Sequence, residues 1–470
     1  MFASSDTNHA VAKLRTGAVC LRLSVSGEPR GPLCGMGTCF ECRMEIGGAA
    51  HERSCMTPVQ PAPARPVPTS CDVLVVGAGP GGLAAAKAAA SRGKRVVLLD
   101  DNGKLGGQIW REKAGLSCPG VEFVARATLL QPLNGECVQV LSDGRSSTLR
   151  YGHMILATGA TELFLPFPGW TLPNVLGAGG LQSLVKQGLD VKGRRIAVAG
   201  SGPLLLAVAA YLRQRGAEVL FVLEQASAGR IARFAAGLVT KPGKLGQGLL
   251  LKARLLGVPF LTSSWVVSAS GDDRVRSVRV RRKGKEQDVP CDYLACGFGL
   301  VPNVRLAALF GARIESGCVV VDHEQRTANP RVFCVGEATG IGGLDKALLE
   351  GQIAGAASAG DLDVARRLAR QRERERGFVT ELARAFALRD ELRSLATEET
   401  IVCRCEDVRR GALTGCTSWR DAKLQTRCGM GACQGRVCGP AVAFLSGFAV
   451  GDARPPIFHA PLSALITTTS

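Results

Sequence analysis

Five histidines in 470 residues leave few candidates for the commonest general base, and none of them sits in a recognisable catalytic motif. No nucleophile–base pairing stands out along the chain either. Aromatic residues make up only 5%, and no recognition helix or RNA-binding signature is present. Nucleic acid is therefore not an expected partner, despite a formal net charge of +18. No apolar run reaches the ~18 residues of a transmembrane helix, and no charged-then-apolar signal precedes the first domain. The expected location is the cytoplasm, with a peripheral association at the inner membrane as the variant that a basic surface allows. The central α/β region contains no C-x-x-C, which argues against internal dithiol chemistry. A chain without these devices is expected to move electrons and to leave substrate activation elsewhere.

What is abundant is cysteine, 18 residues in all, concentrated at 34–55 and 403–438. A reducing compartment and a long chain favour metal or cluster ligands over disulfides. Residues 1–59 form a small cysteine-rich unit, and "PVQPAPARPVP" (58–68) makes a stiff, extended linker centred on 60–70. From Cys71 to about residue 360 the texture is apolar strand, glycine turn and alanine-rich helix, the signature of parallel α/β structure. The run "ARRLARQRERERG" (365–377) interleaves Glu with Arg and reads as a solvated helix within a charged connector, 361–399. A second cysteine-rich unit with a tail occupies 400–470.

One motif occurs twice. In "DVLVVGAGPGGLAAAKAAASRGKRVVLLDD" (72–101), Gly77, Gly79 and Gly82 fit G-x-G-x-x-G between a buried strand and a helix that opens at Pro80. The first glycine makes the tight turn, the second admits a pyrophosphate, and the third packs helix on strand. The following strand ends at Asp100, an acid suited to a ribose hydroxyl. Strand, turn, helix, strand and acid in register make this a strong dinucleotide signal. The second copy is "RRIAVAGSGPLLLAVAAYLRQRGAEVLFVLE" (194–224). Gly200 and Gly202 match, but Leu205 replaces the third glycine, which holds the helix away from the strand. Glu224 ends the next strand and suits a free 2′-hydroxyl, hence NAD rather than NADP. Three readings stay open for this site: working NAD(H), a structural nucleotide such as ATP, or none.

The cysteine spacing is equally specific. Cys34, Cys39, Cys42 and Cys55 follow C-x4-C-x2-C…C, the plant-type [2Fe–2S] pattern. Gly35 and Gly37 allow positive φ, so that backbone N–H groups can face the cluster sulfurs. The segment is shorter than a ferredoxin-like domain and is expected to lack part of its N-terminal strands. Downstream, Cys403 and Cys405 make C-x-C, and Cys433 and Cys438 make C-x4-C. Cys428 reads as a small buried residue beside that site, and Cys416 as a weaker candidate. Zinc is the alternative at both clusters, though each has only a minority of zinc-type spacings.

Several segments carry a family resemblance. "LGGQIW" (Gly106, Gly107, Gln108), "MILATGA" (Thr158, Gly159) and "RVFCVGEATGIGG" (Gly336, Glu337) resemble the flavin-binding half of two-dinucleotide-domain flavoproteins, over about 71–360. Glu337 stands where that group has an Asp toward the ribityl chain. The C-terminal spacing resembles the bacterioferritin-associated-ferredoxin type of [2Fe–2S] module, which implies Cys403, Cys405, Cys433 and Cys438 as ligands. "EPRGPLCGMGTCFEC", "GSGPLLLA", "GFGLVPN" and "CRCED…TRCGMGACQGR" together resemble the flavoprotein subunits of hydrogen cyanide synthase, opine oxidase and D-hydroxyproline dehydrogenase. The resemblance implies a Rossmann-like α/β flavoprotein with parallel sheets, flanked by two iron–sulfur modules. It divides the chain into an FAD domain (71–165 and 303–360) and an inserted NAD-like domain (166–302). It further implies FAD and one or two [2Fe–2S] clusters. The partners it implies are a D-amino-acid-oxidase-like FAD subunit and a further electron acceptor. A self-sufficient NAD(P)H-dependent oxidoreductase is the competing reading.

Overall fold

Val73, Leu74 and Val75 have no exposed surface, as expected of a parallel strand covered on both faces. In the computed structural model, which describes residues 7–61, 65–449 and 454–466, the strand Ser70–Val76 lies in a seven-stranded sheet. Residues 62–64 of the proline linker lie outside the described residues. Ser70–Val76 pairs in parallel with Val96–Asp100 on one side and with the long strand Arg145–Leu156 on the other. The latter also takes Val332–Cys334 in parallel near its C-terminal end. Its N-terminal half turns instead into an antiparallel meander with Cys137–Ser142 and Ala127–Pro132.

This sheet belongs to one compact unit, Pro61–Thr161, Val301–Thr380 and Asp452–Ser470. The helix Pro80–Ala90 begins with proline in its first turn and continues in alanine, both favourable there. It packs closely on the helix Leu344–Ser358. A Cβ on Gly351 would stand 2.2 Å from the Gly81 carbonyl oxygen, and one on Gly355 would stand 2.4 Å from that of Ala85. Backbone faces backbone there, so no rotamer relieves the clash. Gly351→Ala is expected to destabilise the chain by about 1–3 kcal/mol, measured as a shift in the denaturant midpoint.

The helix Leu362–Ala385 departs from the solvated reading. Ala365 and Ala369 are buried, and Arg372 Nε donates to Glu350 Oε1 at 2.8 Å, so one face is packed down. The tail departs as well. Ile457 joins the apolar core of this unit and Gln139 Nε2 donates to the Ala464 carbonyl at 2.5 Å. It therefore belongs with the first glycine turn rather than with the C-terminal cysteines.

The other unit comprises Met1–Gln60, Glu162–Leu300 and Glu381–Gly451. Its centre is a five-stranded parallel sheet in the order Val175–Leu176, Tyr293–Gly297, Arg195–Gly200, Glu218–Glu224, Phe260–Thr262. An antiparallel sheet of Ser264–Ser270, Ser277–Arg282 and Lys285–Pro290 follows. Among its described residues the N-terminal cysteine segment has the helix His9–Arg15 and two small two-stranded sheets. It leans on the helix Ala178–Lys186: Gly177 N donates to the Leu33 carbonyl at 2.8 Å, and Ser183 Oγ donates to the Gly35 carbonyl at 2.9 Å. The segment's buried apolar side chains join the apolar clusters of this unit.

Candidate flavin and iron–sulfur sites

At the first glycine turn, Gly77 has φ +106°, and a Cβ there would lie 2.3 Å from the Ala157 carbonyl oxygen. A Cβ on Gly82 would lie 1.8 Å from the Gly77 carbonyl oxygen. Gly79 is different, since nothing stands within 4 Å of its Cβ position. It caps the helix Pro80–Ala90 without a side-chain hydrogen bond. The start of that helix is thus uncapped and has free space beside Gly79, as an anion site requires. The Gly-Gly segment is brought to the same place: Gly106 N donates to the Ala78 carbonyl at 2.9 Å, and a Gly107 Cβ would touch Gly79 Cα at 2.9 Å. Gln108 follows, half-buried. These residues fit a dinucleotide pyrophosphate.

The acids at this site are already engaged by backbone. Asp100 accepts from Ala78 N at 2.5 Å and from Asn102 N at 2.8 Å, and burial pushes its carboxyl up to about 6. Glu337 accepts from Gly342 N at 3.0 Å and Gly343 N at 2.8 Å, and burial raises its pKa too. Both shape the loops around the turn. Sequence reasoning missed the residues that hold those loops. Asn303 clamps the A-T-G segment, donating from Nδ2 to the Thr158 carbonyl at 2.9 Å and from N to the Gly159 carbonyl at 3.0 Å. Glu350, fully buried, accepts from Gly336 N at 2.9 Å and pairs with Lys346 at 2.9 Å. The motif "GFGLVPN" was the available signal for Asn303; nothing local marks Glu350.

At the second turn, Leu205 is buried in the apolar core. Glu224 turns inward, accepting from Gly202 N at 2.7 Å and Ala226 N at 2.8 Å. The segment after the charged helix lies against this turn. Ser201 Oγ donates to the Phe386 carbonyl at 3.1 Å, Gln225 Nε2 to that of Ala387 at 3.3 Å, and Arg230 Nη1 to the same carbonyl at 3.0 Å. Beside Gly200 and Gly202 these three side chains are thus hydrogen-bonded within the chain.

In the N-terminal cage Cys34, Cys39, Cys42 and Cys55 are all buried. Gly35 and Gly37 have φ +61° and +76°. Met36 N points at Cys34 Sγ at 3.4 Å and Gly37 N at Cys55 Sγ at 3.3 Å. Cys39 N also faces Cys34 Sγ, and Glu41 N faces Cys39 Sγ, both at 3.4 Å. Donors aimed at thiolate sulfur are what a [2Fe–2S] cage needs. The hydrogen bond from Cys39 brings Cys34 down to about 6. Contact with Cys55 lowers Cys42, while burial and their partners raise Cys39 and Cys55.

In the C-terminal cage Cys403, Cys428 and Cys438 have their sulfurs within 4.8 Å of one another. Cys405 shares a hydrogen bond with Cys433, which is lowered by it. All five are buried. Cys428 therefore stands inside the sulfur group, not beside it. Cys416 is half-buried and apart from that group. Gly431 lets the loop close, since a Cβ there would meet Cys405 Cβ at 2.3 Å.

One further acid was not foreseen. Glu162 is buried and accepts from Gly179 N at 2.8 Å and Gly180 N at 3.0 Å. It occupies space that a Cβ on Gly177 would need. Burial raises its carboxyl from 4.5 to about 7. The folded chain then binds more protons than the unfolded chain between those values, so stability falls as pH rises through the window. The loss amounts to about 3 kcal/mol. Glu162→Gln is expected to remove that share of the slope, read as a smaller difference between denaturant midpoints at pH 5 and pH 8 than in the parent.

Residues 71–360 match the pyridine nucleotide-disulphide oxidoreductase family, and residues 3–62 match a 2Fe-2S iron-sulfur cluster binding domain. The chain is 32% identical to hydrogen cyanide synthase subunit HcnB of Pseudomonas aeruginosa over 78% of its length and 90% of that protein. It belongs to the family of HcnB and its opine oxidase counterparts. The opine oxidase counterpart from Agrobacterium tumefaciens is 30% identical over 79% of this chain and 84% of its own. The L-proline dehydrogenase structure from P. horikoshii shares the fold, with a TM-score of 0.70 at 19% identity over 99% of this chain and 95% of that one. The protein is an FAD-dependent oxidoreductase subunit with an N-terminal [2Fe–2S] domain. Among the described residues no helix is long and apolar enough to cross a membrane.

Proposed function

We propose that this chain is the electron-transfer subunit of a heteromeric dehydrogenase for an amino or imino acid. A D-amino-acid-oxidase-like FAD subunit would bind and oxidise the substrate. The electrons would then pass through this chain's centres to a further acceptor. The reading rests chiefly on the N-terminal cage, four buried cysteines with backbone N–H groups directed at sulfur. FAD supplies conversion between two-electron and one-electron transfer, and iron–sulfur clusters carry single electrons. Gly79 and the open N-terminus of its helix would hold the flavin pyrophosphate. Asp100 keeps the turn in shape and remains the candidate for the ribose, as Glu337 does for the ribityl chain. Cys34, Cys39, Cys42 and Cys55 would bind one cluster and the C-terminal cysteines a second.

The names of the relatives, hydrogen cyanide synthase and opine oxidase, support a C–N bond as the site of oxidation. The hydrogen bonds from Ser201, Gln225 and Arg230 to the 386–387 carbonyls count against NADH as the reductant. Isolation from the native host, with mass spectrometry of what travels with the chain, tests the proposal. The expected companion is an FAD-containing subunit that confers amino- or imino-acid oxidation. A chain that runs alone and whose flavin is bleached rapidly by NADH would overturn it in favour of the self-sufficient reductase.

A further inference from the structure

Glu41 sits between the ligand candidates Cys39 and Cys42, and Arg404 sits between Cys403 and Cys405. The two side chains meet. Glu41 Oε1 lies 3.4 Å from Arg404 Nε and 3.0 Å from Arg22 Nη2. Arg404 Nη2 donates to Glu41 Oε2 at 3.4 Å. Exposure of the Glu41 and Arg404 side chains is 1% and 2%, so water screens this pair very little. Arg404 is held from its other side by Trp170, whose ring lies 4.9 Å away and whose carbonyl accepts from Nη1 at 2.7 Å. A second clamp repeats the pattern: Arg30 Nη2 meets Asp407 Oδ1 at 2.7 Å, and Ser26 Oγ donates to Asp407 Oδ2 at 2.6 Å.

The charges do not balance. Arg22, Arg30 and Arg404 face Glu41 and Asp407, leaving one cation over. The Nε atoms of all three arginines are buried without a hydrogen-bond acceptor. Burying an excess cation with orphaned N–H groups is costly unless negative charge is nearby. Four thiolates around each iron pair supply such charge.

We propose that the Arg22–Glu41–Arg404 cluster is a shared electrostatic bridge. It seats the two cysteine cages together and sets the reduction potentials of both centres at once. This rests on the reading that both cages hold iron–sulfur clusters. A cation near a cluster favours its reduced, more negative state. Arg404→Gln removes that cation while Glu41 keeps Arg22, so the fold is retained. Both midpoint potentials then move to more negative values. Glu41→Gln moves both the other way, and Arg404→Lys restores most of the wild-type values.

The test is an EPR-monitored dithionite titration of the anaerobically isolated full chain, with iron and sulfide counted in each variant. The metal-free chain gives a second readout. There Glu41→Gln, which strands two buried guanidiniums, is expected to raise the unfolding equilibrium constant on the order of 100-fold. Arg404→Gln, which strands none, should raise it far less. Iron and sulfide for one cluster only in the wild type would defeat the two-cluster reading and this inference with it. Two clusters whose potentials stay put, or of which only one shifts, would defeat the bridge and leave that reading intact.

Discussion

A Cys42→Ser chain isolated without oxygen will carry about two fewer irons than the parent, and its electron transfer will fall by orders of magnitude. Cys42 is buried against Cys55, so serine keeps the volume and changes only the donor atom. The loss is not confined to chemistry. The segment before residue 60 contributes few buried apolar side chains besides its cysteines, chiefly Ala10, Val11, Leu21, Leu33 and Phe40. Cluster binding adds directly to folding free energy, so the melting temperature should drop with the iron. The same iron count discriminates among the C-terminal cysteines. On the proposal that the C-terminal cage holds a second cluster, Cys428→Ser loses it as Cys438→Ser does if Cys428 is a ligand, and retains its iron if Cys428 only fills space. The clustering of Cys403, Cys428 and Cys438 sulfurs makes loss the expected result.

The second large effect separates folding from flavin binding within one turn. Gly82→Ala drives a methyl to 1.8 Å from the Gly77 carbonyl oxygen; the strand–helix contact must open, and the chain should lose FAD and several kcal/mol of stability together. Gly79→Ala meets nothing within 4 Å. Without flavin it should therefore fold about as well as the parent, within ~1 kcal/mol. Its FAD affinity should nevertheless fall, because the methyl occupies the approach to the helix amides. Apoprotein stability by denaturant and FAD affinity by fluorescence titration check both halves. Equal FAD affinity in Gly79→Ala and the parent would remove the pyrophosphate from this position.

Much of this was legible because the relevant signals are local. A strand–glycine–helix turn and a C-x4-C-x2-C loop are each specified within a few residues, and the backbone follows from the need for positive φ or close approach. What was not legible comes from residues distant in sequence. Glu350 reaches Gly336 from a neighbouring helix, Asn303 grips Thr158 across 145 positions, and Glu41 finds Arg404 across 363. No spacing rule announces such pairs. The acids at strand ends were recognised as important, but their backbone partners were not. Asp100 and Glu224 each accept an N–H of the glycine turn beside them, a duty invisible until the turn is folded. The charged helix misled for a related reason: its alanines, not its arginines, decide which face packs down.

The interleaving of the two units bears on how the protein is made. Each is assembled from three separated stretches, and each needs residues beyond 380. A nascent chain leaving the ribosome cannot close either one until nearly all of it has emerged. Truncation before residue 380 is therefore expected to leave neither unit closed, read as loss of a cooperative unfolding transition.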